Sequence, residues 1–201
     1  MKKIVFSEGK YDVHFIDKLF DNSSANPSVD KFVVENESRS DLKNKESEKI
    51  RNFLERFNPY DVLIKSENGK PNLKHGFVSV LRQLANEEVE KYVLVDLDNR
   101  SIHDFLTDIE EQMNQRFSGC GLRLGNRSII KENRHMIAQE IELQIDTGRD
   151  PRTGFVVVAF KTSLETVADI GDGDGHSEKT TKIESILDIR PVSRLLQTTF
   201  L

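Results

Sequence analysis

Short apolar runs alternate along this chain with stretches in which apolar residues recur every third or fourth position. Lys3-Ile4-Val5-Phe6 is a β-branched run that predicts a buried strand. A helix is expected near Tyr11–Phe20, where Val13, Ile16, Leu19 and Phe20 share one face. The polar turn Asn22–Ser28 leads to a short strand at Lys31–Val34. Ser40 or Asp41 can cap a helix running to about Phe57, with Ile50, Phe53, Leu54 and Phe57 on one side and Pro59 as its stop. A strand at Asp61–Lys65, a helix at Leu73–Asn86 and a strand through Tyr92–Val95 follow. The order βαβαβαβ predicts a mostly parallel sheet with right-handed crossovers.

The second half is less regular. A helix is expected from about Ser101 to Arg116, with Ile102, Phe105, Leu106, Ile109 and Met113 inward, and Gly119–Gly125 reads as a glycine-rich connector. Ile141, Leu143 and Ile145 alternate with polar residues, as in a strand with one wet face. Asp146–Gly154 is dense in turn residues and Phe155–Phe160 is continuously apolar, so Ile141–Phe160 reads as a hairpin. Ser163 is placed to cap a short helix, Leu164–Ile170. A glycine-rich acidic loop, Gly171–His176, and a last helix near Lys179–Leu187 complete the pattern. The fold class expected is α/β: a mostly parallel sheet flanked by helices, with a β-hairpin inserted in the C-terminal half. One domain over 1–201 is expected, its core at about 2–98 and 155–190 and its insert at about 117–154.

Composition narrows the class. At 201 residues, 36% hydrophobic and 31% charged, the chain can bury one full core. No apolar run approaches the roughly 18–20 residues of a membrane span, so no membrane partner is expected. The chain runs directly into its first strand, which predicts no signal peptide, and the single cysteine, Cys120, permits no intramolecular disulfide. A cytoplasmic location follows as the expectation. The net charge of −5 argues against a basic nucleic-acid coat but not against a nuclease, whose metal site is itself acidic. Local basic groups remain at Lys65, Lys70, Lys74 and His75, and at Arg123, Arg127, Lys131 and Arg134, the latter with the reading of a solvated face.

The candidate chemistry sits at two strand ends: Glu8 follows Val5-Phe6-Ser7, and Asp96 and Asp98 follow Val93-Leu94-Val95. In open α/β sheets the residues just past the carboxyl ends of the strands line the functional crevice. Carboxylates gathered there repel one another unless a cation separates them, which points to Mg²⁺ or Mn²⁺ on hard oxygen ligands. The structural alternatives are a helix-start acid for Glu8 and a helix cap for Asp98.

Glu8-Gly9 with Asp12, followed by Asp96-Leu97-Asp98 after a later strand, resembles the TOPRIM domain of topoisomerases, bacterial primases, small nucleases and OLD-family nucleases. Gly69-Lys70-Pro71-Asn72-Leu73 looks like the segment that small free-standing TOPRIM proteins carry before their Asp-x-Asp strand. The resemblance covers roughly Lys2–Asp98 and Phe155–Ile170. It implies that Glu165, at the start of the helix after the next strand, joins Glu8, Asp12, Asp96 and Asp98 as a metal ligand; a first-turn helix acid is the plain alternative. It also implies that a late lysine, assigned to Lys179, stabilises charge on the phosphate. Arg100 is basic where topoisomerases and primases often carry an acid, which favours the nuclease branch.

The function expected is therefore metal-dependent phosphodiester hydrolysis of nucleic acid, DNA or RNA. Glu8, Asp96, Asp98 and Lys179 are the catalytic candidates, and Lys70, Arg149 and Arg152 the substrate-binding ones. A partner ATPase and a homodimer are the expected associates. The rival expectation is a TOPRIM-like binding module without turnover, whether its partner is nucleic acid or protein.

Overall fold

The computed structural model describes residues 1–34, 39–117, 121–145 and 154–201, with their side chains except at 39–44 and 145. The elements run β1 (Lys2–Ser7), α1 (Lys10–Asp21), β2 (Val29–Val33), α2 (Arg39–Leu54), β3 (Val62–Ser66), α3 (Lys70–Leu84), β4 (Val89–Asp96), α4 (Ile102–Arg116), β5 (Leu122–Glu132), β6 (Met136–Ile145) and β7 (Phe155–Phe160). The short α5 (Leu164–Val167), α6 (His176–Ser185), a 3₁₀ turn at Ile186–Asp188 and α7 (Arg190–Phe200) complete the chain. The strands form one seven-stranded sheet in the order β2-β3-β1-β4-β7-β6-β5. The first five in that order are parallel, and β6 and β5 are antiparallel additions at one edge.

The period-2 alternation of the central strands divides the core between two faces. Ile4, Phe6, Leu63, Val93, Val95 and Val157 point to one side, where α2, α3 and α4 bring Phe53, Phe77 and Phe105. Val5, Val62, Ile64, Tyr92, Leu94 and Val158 point to the other, beneath α1, α6 and α7 with Phe15, Phe20, Ile183 and Phe200. Both faces of the central strands are covered, which is why these strands read as unbroken apolar runs. The α/β class and the mostly parallel sheet are as expected from the pattern.

Several local expectations shift. The first short strand begins two residues earlier than its apolar centre suggests, and α2 ends at Leu54, leaving Phe57 exposed rather than inward. Of the connector expected at Gly119–Gly125, the part from Leu122 to Gly125 is instead the start of an eleven-residue strand, β5. β6 does pair with β7 as a hairpin, but it starts at Met136 and also carries β5 on its other side. Register shifts between Leu124/Arg127 and Ile129/Lys131 interrupt the alternation of β5, which hid it from a period-2 reading. The helix expected at Lys179–Leu187 begins at His176, and a further helix, α7, lies beyond it. Cys120 lies outside the described residues. No helix among the described residues is long and apolar enough to cross a membrane.

Candidate carboxylate site

β1 and β4 are neighbours, yet their chains leave in opposite directions. α1 carries the chain from β1 over one face towards β2, whereas α4 packs on the other face after β4. Such a divergence opens a crevice at the carboxyl ends of the two strands. Glu8 lies at the end of β1 and Asp96 at the end of β4, where Asp96 is also level with Phe160, the end of β7.

Backbone groups hold the carboxylates in place. The Asp96 N–H donates to Glu8 Oε1 at 2.8 Å, so Glu8 reaches across to β4 rather than capping its own helix. The Leu164 N–H at the start of α5 donates to Asp96 Oδ1 at 3.0 Å. Glu8 and Asp96 thus each commit one oxygen to an N–H of another element. Asp12 is 8% exposed and accepts the Gly9 N–H at 2.8 Å, closing the first turn of α1. Glu165 stands in the first turn of α5, which Ser163 caps by accepting the Thr166 N–H at 3.1 Å.

These acids feel one another. Burial pushes Asp96 up to about 8, reinforced by the charges of Asp12, Glu8 and Glu165. Burial likewise pushes Asp12 up to about 7, with Glu8 and Glu165 adding to it against the pull of the Gly9 N–H. Burial also raises Glu8, opposed by the Asp96 N–H and by Lys70.

Asp98 sits apart, with its side chain 61% exposed and its backbone in the left-handed region at φ 49°. It does not cap α4; Ser101 does, exchanging bonds with Asp104 at 3.1 Å each way. Lys70 spans the gap, with Nζ 2.5 Å from Asp98 Oδ2 and 3.8 Å from Glu8 Oε1. Its position follows from the loop after β3: the Gly69 N–H donates to the Glu8 carbonyl at 2.8 Å, and Gly69 adopts φ 106°, a value suited to glycine. Among the described residues, no set of three His, Cys, Asp or Glu side chains stands closely enough to hold a metal ion as placed.

The remaining candidates divide. Lys179 lies on α6, one turn beyond His176, whose Nδ1 is 3.4 Å from the Tyr11 hydroxyl; no hydrogen bond or ion pair ties it to the carboxylates. Arg149 and Arg152 lie outside the described residues. The strand ends that flank them, Ile145 and Phe155, are at the edge of the sheet opposite the carboxylates. The basic group around Lys65 is not a surface patch. Lys65 is 1% exposed, paired with Glu46 at 2.9 Å and in contact with Glu67, while Lys74 pairs with Asp108. Asp174 is held by Lys182 at 2.7 Å and by the Gly171 N–H, so the acidic loop closes on itself.

The pattern reading overlooked the turn Asn133–His135, which joins β5 to β6. Because β6 is antiparallel, Met136 pairs with Phe160, and the turn reaches the same edge as Glu8 and Asp96. The available signal is the run of five polar residues, Lys131–His135, between Ile129-Ile130 and Met136-Ile137. No family model, curated protein or solved structure matches this chain.

Proposed function

We propose that this protein is a metal-dependent phosphodiesterase acting on nucleic acid, with a TOPRIM-like carboxylate centre. The observation that carries the reading is the convergence of Glu8 after β1, Asp12 in α1, Asp96 at the end of β4 and Glu165 in α5 into one mutually repelling cluster at the divergence of the sheet. The donor set fits a hard divalent cation: carboxylate oxygens only, partly buried, three of them oriented by backbone N–H groups. Glu8, Asp96 and Asp98 would hold Mg²⁺ or Mn²⁺ with Asp12 and Glu165 beside them, and the ion would supply an activated water and neutralise the phosphate. Lys70 brings a point charge to the same edge, suited to a phosphate oxygen without reading sequence. Recruitment by a partner ATPase, a homodimeric state and a cytoplasmic setting belong to this proposal, the last from the lone cysteine and the absence of a signal-peptide pattern.

Cleavage of plasmid, single-stranded DNA and RNA with Mg²⁺ or Mn²⁺ tests it. Glu8→Gln keeps size and hydrogen bonding but removes the charge, so the rate should fall by roughly three orders of magnitude or more with little change in Tm. Wild-type cleavage by that variant would overturn the assignment. One observation favours a second reading, a module without turnover: the Lys70 ammonium already stands as a cation between Glu8 and Asp98. The two separate on Tm. A ligand that binds only the folded state raises it, so millimolar Mg²⁺ should raise Tm in the wild type and not in an Asp96→Asn/Asp98→Asn variant. No shift and no cleavage would leave the binding module.

A further inference from the structure

We infer that the Asn133–His135 turn is a docking element for the phosphodiester backbone, with Arg134 as its phosphate contact; this rests on the phosphodiesterase reading. The turn is continuous with the carboxylate edge through the backbone. The Lys161 N–H donates to the His135 carbonyl at 2.8 Å, and the Asn99 and Asp98 N–H groups donate to the carbonyls of Lys161 and Thr162 at 3.0 and 2.9 Å. From β4 across β7 to β6 is two strand spacings, about 10 Å. A nucleic-acid strand crossing the carboxylates therefore passes over the turn.

The turn is also braced for such a role. Asn133 Oδ1 accepts the N–H groups of His135 and Met136 at 2.7 and 2.8 Å, and its Nδ2 donates to the Pro191 carbonyl of α7 at 2.8 Å. Arg134 is exposed, and its Nε donates to His135 Nε2 at 2.7 Å. That bond uses Nε alone, and the terminal N–H groups have no carboxylate partner among the described residues. The other basic residues of β5 are differently engaged. Arg127 bonds Glu110 and His103 at 3.4 and 3.1 Å, and Lys131 bonds Thr198 at 3.2 Å. Arg123 stands at the far end of the strand, paired in register with Gln144. A planar guanidinium suits a phosphate with its paired N–H donors.

The test is fluorescence anisotropy of a labelled single-stranded oligonucleotide and its duplex, with Ca²⁺ present, across a salt series. Arg134→Ala should weaken binding roughly 3- to 10-fold and lower the slope of log K against log salt by about 1. Arg134→Lys should keep the slope, and Arg123→Ala should behave as wild type. Unchanged affinity and slope in Arg134→Ala, or an equal loss in Arg123→Ala, would overturn the proposal. Absence of binding by the wild-type protein would instead remove the nucleic-acid reading on which it rests. Arg134 is exposed, and an unchanged Tm in both Arg134 variants separates lost contact from lost fold.

Discussion

At the scale of single residues, the buried acids make stability depend on pH in a definite direction. Asp12 and Asp96 hold protons in the folded state to about 7 and about 8, above their ordinary value of 3.8. The folded protein thus binds more protons than the unfolded chain between pH 3.8 and about 8, and stability falls as pH rises through that window. Tm measured in EDTA should decline from mildly acid to neutral pH, and Asp96→Asn should flatten the decline because the amide has no proton to lose. A profile that rises over the same range would contradict the buried placement. On the other face, Lys65 is buried between Glu46 and Glu67, with burial pulling its ammonium below the ordinary lysine range against the pull of Glu46. Lys65→Met strands two carboxylates and should cost about 3–5 kcal/mol, read from the urea midpoint. Sequence alone does not show that Lys65, grouped with Lys70, Lys74 and His75 as a basic cluster, is enclosed, because only the packing of α2 brings Glu46 to it.

At the scale of elements, the close approach of β6 and β7 gives the sharpest expectation. A Cβ at Gly154 would overlap the Ile141 carbonyl oxygen, a backbone atom that cannot swing aside. Gly154→Ala should destabilise by about 2 kcal/mol or more, measured by denaturant unfolding. The parallel half of the sheet was legible because β1, β3 and β4 are covered on both faces and write themselves as apolar runs. Glu8 and Asp96 stood out for the same reason, since each ends such a run, whereas Asp12 and Glu165 were named only through the resemblance to the TOPRIM domain. β5 was not, because its bulges break the alternation and its outer residues Ile129 and Ile130 are exposed. Nor was α7, whose stripe Val192, Leu195, Leu196 and Phe200 follows Pro191 in a segment that offered no motif. Lys70 was legible as a site residue, but its double pairing depends on how Gly69 docks against Glu8, which no local pattern encodes.

At the scale of the whole molecule, α7 closes the face that α1 begins. Phe200 stacks near Tyr92 and Phe20, with ring centroids at 4.7 and 6.1 Å, so the last helix is part of the core. Leu196→Ala, fully buried, should cost about 2–5 kcal/mol and lower Tm accordingly. The antiparallel course of β6 reaches further than packing. It delivers the Asn133–His135 end of the β5–β6–β7 unit to the carboxylate edge and sets Leu122 and Phe155 at the opposite end of the sheet. The molecule therefore has two unlike poles, one with the buried carboxylates and one with the strand ends Leu122 and Phe155. A fluorescent reporter coupled at Arg123, exposed at that second pole, would leave the acidic crevice open to solution.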